Sequence, residues 1–243
     1  MTSGKLGCEV TLPMDLKAEF SKREPWITHY EIDGVATGGD FHALNDSRVG
    51  QFFETFPRIH NVLELGSLEG GHTFTMARRP DVARVVGLDG RATSIEKSRF
   101  MQQLFGLSKV EFIEANLERA QLSSFGKFDA VFCSGLLYHL PEPWKLIEQI
   151  PQVAPNLFIW THYCDDLAVE LANGDLKGRN YVEGDLHSPN SGMSATSFWL
   201  TLGSLTKALT KNGFGEIRIL QNNLSHPHGP AVTLAATTSR FQS

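Results

Sequence analysis

Cysteine is scarce in this chain: Cys8, Cys133 and Cys164 are the only three in 243 residues. They are too few and too scattered for a disulfide framework or a thiolate zinc cluster, so reduced thiols in a cytoplasmic protein are expected. An excess of basic residues is also missing. The net charge is −5, which argues against nucleic acid as the main partner, although a local basic patch is compatible with that total. No segment approaches the ~20 apolar residues of a membrane span. The opening, MTSGKLGCEVTLPMDLKAEF, lacks an apolar core of signal-peptide length. Internal repeats and low-complexity linkers are absent. What remains is an ordinary globular composition, 41% hydrophobic and 20% charged.

Against that plain background one stretch stands out. Val62 to Phe74 reads VLELGSLEGGHTF, a short buried-strand run that ends in a glycine-rich turn and opens a helix. Such a turn presents backbone N–H groups and a helix N-terminus to a nucleotide-like ligand. Eighteen residues beyond Gly71, the run Val85-Val86-Gly87-Leu88 ends in Asp89. A carboxylate there accepts hydrogen bonds from the hydroxyls of a ribose. An adenosine-containing cofactor is the expectation.

Short apolar runs at 62–65, 85–88, 110–113, 128–133 and 156–160 predict strands buried on both faces. Helices are expected between them: one after Gly71 stopping at Pro80, one from Thr93 with Glu96 as a capping box and closing at Gly106, and one from Pro143. Alternating β and α predicts a doubly wound, mostly parallel sheet. After a helix carrying Leu205 and Leu209, the strands at 216–220 and 231–237 have no crossover helix between them. They should pair as a hairpin with one strand antiparallel to the sheet. Residues 1–57, including an amphipathic helix over 46–56, read as an N-terminal extension or cap, and 58–243 as the main domain. Residues 163–197 have little periodicity, and so long a loop suggests a lid.

A dinucleotide fingerprint needs G-x-G-x-x-G, so that the pyrophosphate can approach the backbone. Here Leu68 occupies the second glycine position, and Glu69 sets a negative charge where a diphosphate would sit. A phosphate-free cofactor with a positive sulfonium suffers from neither. At this point the chain resembles the class I S-adenosylmethionine-dependent methyltransferases, through VLELGSLEGGHTF, VVGLDGR (85–91), VEFIEANLE (110–118) and FDAVFCSGLLYHLPEP (128–143) in order. The resemblance covers roughly residues 60–240 and departs from the family at Leu68. It implies a Rossmann-like, doubly wound sheet of seven mostly parallel strands with a C-terminal antiparallel hairpin strand. A looser likeness, through Trp26–Asp33, GLLYHLPEP and residues 191–214, is to the group containing the tRNA wobble-uridine carboxymethyltransferases.

The resemblance implies roles for particular residues, each with a plainer alternative. Glu64 would sit near the methionine amino group, or cap a neighbouring amide. Gly66, Ser67, Gly70 and Gly71 would form the cofactor turn, and Asp89 would hold the ribose. Asn116 would read the adenine amino group, or make an Asx turn. Gly90 and Leu117 would wall the nucleoside. Ser134, Gly135, Tyr138 and His139 follow the fourth strand and should lie beside the reactive methyl. If the acceptor is oxygen a base is needed, and His139 or His162 is the first choice, since an imidazole titrates near neutrality; for an amine, sulfur or carbanion alignment suffices, and a histidine that merely shapes the loop is the alternative for His139. Trp26, Tyr30, Tyr181, Phe198 and Trp199 would line a substrate pocket or form a satellite core. Asp165 and Asp166, and the pair His226 and His228, read as solvated loop residues, so no metal is expected.

The function expected is transfer of the sulfonium methyl of S-adenosyl-L-methionine to a small molecule by in-line displacement. The alternatives are methyl or carboxymethyl transfer to a tRNA uridine, with Arg91, Lys177 or Arg179 holding the extra carboxylate, a cofactor-binding module without chemistry, and a nicotinamide enzyme. The acceptor atom and the oligomeric state are not encoded in any motif.

Overall fold

The computed structural model describes residues 14–238, and the contacts divide the chain between His42 and Ala43. In the first unit, Asp15 caps helix α1 (Leu16–Ser21) by accepting from the Ala18 N–H at 3.1 Å. Strands β1 (Glu31–Ile32) and β2 (Val35–Ala36) pair antiparallel around Asp33 and Gly34, both at positive φ. Two such residues give the turn whose twist matches a tight hairpin. Phe20, Trp26 and Tyr30 are buried together with edge-to-face rings 5.8 and 6.1 Å apart. Trp26 and Tyr30 therefore form a small core, as the plainer expectation had it.

In the second unit, Asp46 caps α2 (Ser47–Thr55) by accepting from the Arg48 N–H at 2.9 Å. This helix, read from sequence as part of the extension, falls on the other side of the division. Its Phe52 ring packs edge-on against the stacked pair Phe132 and Phe158, at 5.4 and 5.8 Å. Burying each such ring stabilises by roughly 1.5–3 kcal/mol.

Five strands and three helices follow, alternating except between the third and fourth of these strands. They are β3 (Asn61–Leu65), α3 (Gly71–Ala77), β4 (Arg84–Asp89), α4 (Ala92–Phe105), β5 (Val110–Glu114), β6 (Ala130–Ser134), α5 (Pro143–Gln149) and β7 (Asn156–His162). Val62, Leu63, Leu65, Val85, Val86 and Leu88 are all fully buried, as a strand covered on both faces requires. α4 starts earlier than expected. Its N-cap is Arg91 without a side-chain bond, so the Thr93–Glu96 capping box does not form. The cause is Asp89, whose Oδ1 already accepts from the Arg91 N–H at 2.9 Å and sets the helix start. Gly106, at φ 62°, ends α4 in the left-handed conformation.

Residues 163–197 differ most from expectation. They hold β8 (Leu171–Asn173) and β9 (Leu176–Val182), which join β10 (Thr196–Leu200) in an antiparallel sheet ordered β10-β9-β8. The segment escapes a periodicity search because β8 and much of β9 are exposed, leaving little alternation to read. After α6 (Leu202–Lys211), capped by Thr201, come β11 (Phe214–Asn223) and β12 (Ala231–Thr238). The main sheet runs β11-β12-β7-β6-β3-β4-β5. β3 to β7 are parallel, and β12 is antiparallel to both of its neighbours. The doubly wound seven-stranded sheet and its late hairpin are thus as expected. No helix among the described residues is long and apolar enough to cross a membrane.

Candidate functional site

The carboxyl ends of β3, β4, β5 and β6 converge, the usual ligand crevice of an open α/β sheet. The β3–α3 turn is built by backbone. Gly66 and Gly70 adopt φ of 77° and 88°, and Leu68, at 48°, joins them in the left-handed region. Leu68 thus makes the turn that its family position normally gives to glycine. The N–H groups of Gly66 and Ser67 both donate to the Leu88 carbonyl at 2.9 Å, tying the turn to β4. A Cβ on Gly70 would lie 2.7 Å from Phe112, so no larger residue fits. Gly71 lies within α3 and makes no left-handed turn. Ser67 is buried, and its hydroxyl has no hydrogen-bond partner among the described residues.

Asp89 closes this turn from the far side. Its two oxygens accept from the Leu68 N–H at 2.8 Å and the Arg91 N–H at 2.9 Å. Burial pushes its pKa up to about 6, against the lowering effect of those two amides. Glu69 corrects an argument made from sequence. It is fully buried in an ion pair with Lys97 Nζ at 2.8 Å, so its charge is compensated and does not by itself repel a diphosphate. Gly90 meets the side chain of Met193, whose sulfur would lie 2.1 Å from a Cβ there. The side-chain oxygen of Asn116 accepts from the Glu118 N–H at 2.9 Å, an Asx turn that leaves its amide NH₂ for another partner, and Leu117 is buried beside it.

Glu64 is buried beneath α3. Its carboxylate accepts from the Thr73 hydroxyl and lies 3.4 Å from His72 Nδ1, while His72 Nε2 lies 3.0 Å from Asp46. Burial opposes a charge on His72, but hydrogen bonds to Asp46 and Glu64 outweigh it and raise its pKa. Burial likewise opposes the Asp46 carboxylate, yet hydrogen bonds from His72 and Arg48 hold it far below the usual range. Arg48 donates onward to the Ser134 hydroxyl at 2.9 Å and lies over the Trp160 ring at 4.7 Å. Ser134 is buried, and the adjacent Gly135 takes φ 83° and donates to the Trp160 carbonyl at 3.0 Å. A cavity of about 600 Å³ opens here, walled by Asp46, Gln51, Trp160, Gln221, Asn223 and His226. Sequence reasoning passed over His72, though it lies inside the quoted turn motif, and over Asp46 and Arg48 as surface residues of an amphipathic helix.

Tyr138 and His139 follow β6 with rings 4.2 Å apart. His139 Nδ1 lies 3.0 Å from the Glu183 carboxylate, which is buried. Burial lowers the His139 pKa, and Glu183 opposes that shift. A carboxylate only accepts, so Nδ1 carries the proton and Nε2 is the nitrogen left to receive one. Burial pushes the Tyr138 phenol up to about 12, so it stays protonated at neutral pH. His162 sits deeper, stacked on Trp199 at 5.3 Å, with Nδ1 3.0 Å from the Gly229 carbonyl. Burial lowers its pKa as well, the Pro230 and Gly229 carbonyls opposing. Tyr181 stacks on Trp199 at 4.7 Å, and Phe198 belongs to the main core. His226 approaches His162 at 4.8 Å, but among the described residues no cluster is arranged to hold a metal ion. Of the cations considered for a carboxylated donor, Arg91 gives its guanidinium to the carbonyls of Leu186, Ser191 and Gly192, and Arg179 lies over Trp199.

A family model described as a methyltransferase domain matches residues 59–213. Among solved structures, the N-terminal domain of EvdMO1 with SAH bound is 30% identical with a TM-score of 0.83, the match covering 91% of this chain and 95% of that one. The same domain in the presence of SAH and D-fucose gives the same identity and score over 93% and 97%. Among curated proteins, the ubiquinone biosynthesis O-methyltransferase of Escherichia fergusonii is 26% identical over 151 residues, 57% of this chain and 62% of that protein. The chain spans between 16% and 62% of the length of the curated relatives it matches.

Proposed function

The chain belongs to the methyltransferase-domain family, and from that premise we propose that it transfers the methyl of S-adenosyl-L-methionine to an oxygen of a small, hydroxylated acceptor. The cofactor reading is supported by the related EvdMO1 domain, crystallised with SAH, the demethylated cofactor that remains after transfer. The residues fit such a group. Gly66 and Gly70 open the backbone, Ser67 offers an unpartnered buried hydroxyl, and Asp89 offers a carboxylate. Asp89 would hold the ribose, Asn116 and Leu117 the adenine, and Ser134 and Gly135 the side nearest the acceptor. When bound, the cofactor supplies a methyl on positively charged sulfur, displaced in line as the electron pair returns to a neutral thioether.

The observation that carries the oxygen reading is His139, set after β6 with Nδ1 on a buried carboxylate. A hydroxyl is a poor nucleophile until its proton leaves, and His139 Nε2 takes that proton as the new C–O bond forms. The chain otherwise contributes alignment, worth up to ~7–11 kcal/mol in well-oriented systems. The curated relatives named as O-methyltransferases agree with an oxygen acceptor. The cavity beside Arg48, with polar walls around one tryptophan, suits a hydroxyl-rich ring. The EvdMO1 crystals grown with D-fucose point the same way.

Calorimetry with S-adenosylhomocysteine and with NAD tests the cofactor: micromolar heat from the first and none from the second is expected. Methyl-labelled cofactor offered with D-fucose, a catechol and a primary amine then tests the acceptor. Label on hydroxyl acceptors that is lost in His139→Ala supports the reading. Label appearing only on the amine would replace oxygen with nitrogen, and NAD binding alone would end the methyl-transfer reading.

A further inference from the structure

The buried carboxylate behind His139 comes from far away in the chain. Glu183 is the residue after β9, and it begins a strap, residues 183–194, that crosses the carboxyl ends of the central strands. Its Oε2 accepts twice, lying 3.0 Å from His139 Nδ1 and 2.7 Å from the Gly192 N–H. Its Oε1 is buried with no hydrogen-bond partner among the described residues. A carboxylate so placed costs desolvation, and the groups it serves are one imidazole and one amide of the strap.

The strap's other contacts fall on the cofactor side. Arg91, at the β4–α4 turn, donates to the carbonyls of Leu186 and Ser191 at 2.9 Å and of Gly192 at 3.2 Å. Met193 covers Gly90, and the Ser194 hydroxyl donates to Glu118, beyond β5, at 2.8 Å. A Cβ at Gly192 would lie 2.6 Å from the His139 carbonyl oxygen, a clash with fixed backbone, and 3.1 Å from the Glu183 carboxyl carbon, a close contact. Only glycine lets the strap close on His139. One oxygen therefore links the strap that covers Gly90 to Nδ1 of the proposed base.

We propose that Glu183 is a positioning residue for His139, and that the strap it begins couples occupancy of the cofactor cleft to the proton affinity of that imidazole. This rests on the methyl-transfer reading only for its second half. Among the described residues, three charged or polar groups face the imidazole: Glu183 from the end of β9, Arg91 from the β4–α4 turn, and the Tyr138 phenol beside it. Glu183 favours the imidazolium, Arg91 disfavours it, and the phenol stays neutral. Linkage is reciprocal. If cofactor holds the strap down, it raises the His139 pKa, and protonation of His139 holds the strap in return.

The test is an NMR titration of the histidine side chains, with His139 assigned from the signal missing in His139→Ala. In the cofactor-free chain, Glu183→Gln should lower the His139 pKa by about one pH unit or more, the usual size of an adjacent-charge effect. Adding S-adenosylhomocysteine to the wild type should raise it, and Glu183→Gln should abolish that change. Gly192→Ala, which keeps the carboxylate, should weaken the response to S-adenosylhomocysteine. Turnover of Glu183→Gln should fall at least tenfold, with its pH profile displaced and the KM for cofactor changed less than kcat. An unchanged His139 titration in folded Glu183→Gln would overturn the positioning role, whatever cofactor binds. A wild type that shows no heat with S-adenosylhomocysteine would overturn the coupling and the methyl-transfer reading, and would leave the first arm to decide Glu183 alone.

Discussion

The two ends of the crevice are held in different ways. At the β3–α3 turn and the tip of β4, backbone does the holding: Gly66 and Ser67 donate to Leu88, and Leu68 and Arg91 donate to Asp89. All of it lies within residues 64–91. At the tips of β6 and β7, side chains from distant segments meet. His139 takes a carboxylate 44 residues on, and His162 is fixed to a carbonyl 67 residues on. The first end is a local device that tolerates few substitutions. The second is assembled by the tertiary fold, and it meets the first through the strap that runs from Glu183 to the carbonyls held by Arg91. A catalyst with that division should lose turnover and cofactor affinity through different residues.

The largest expected effect separates the two directly. His139→Ala should lower turnover by roughly 10²–10⁴, the usual contribution of a positioned acid or base, while S-adenosylhomocysteine affinity measured by calorimetry falls far less, by no more than the strap between Glu183 and Arg91 transmits. If affinity fell as far as turnover, the two ends would be one site and the comparison would fail. Full turnover in the variant would make His139 scaffolding.

Asp89→Ala sharpens the other side. Removing the charged acceptor of two backbone amides, which on the proposed reading would also hold the cofactor ribose, should weaken S-adenosylhomocysteine by about 1–3 kcal/mol. Turnover at saturating cofactor should change far less, as followed by steady-state kinetics. A loss confined to kcat would mean that Asp89 acts on chemistry and not on binding.

The same contrast explains what could be read in advance. The parallel strands, the glycine turn and Asp89 have local patterns, and they fold where the patterns indicate. Leu68 broke the glycine rule without breaking the turn, because Asp89 and Leu88 secure the amides around it. Glu69 misled because its partner Lys97 is 28 residues away on α4. Glu183 and Arg48 left no signal at all. Nothing near Glu183 in sequence marks it as the partner of a histidine, and Arg48 resembles any exposed arginine on an amphipathic helix. Residues 163–197 read as loop because exposed strands carry no alternation, and β9 is recognisable only once β10 is beside it. A deletion across 170–190 would therefore remove a paired strand as well as the strap.

The smallest effect is a pH dependence that belongs to the backbone-built end. Asp89 has a pKa of about 6, raised by burial and only partly offset by the Arg91 and Leu68 amides. On the proposed reading, its ionised form is the one that would accept from a ribose. Affinity for S-adenosylhomocysteine should therefore be level above about pH 7 and fall as pH drops through 6, by at most about tenfold per pH unit for one proton. The stability of the cofactor-free chain should follow the opposite sign at this residue. A folded pKa above the ordinary carboxylate value means that its stabilising contribution is fully present below that value and is lost as pH rises through 6. Cooling binding and warming stability on the same acid limb is an unusual pair of trends, and Asp89→Asn should flatten both differences relative to wild type. Calorimetry and thermal melts between pH 5 and pH 8 give the measurement. Should the affinity slope persist in Asp89→Asn, the titrating group lies elsewhere, and His139 at the side-chain-built end becomes the next residue to titrate.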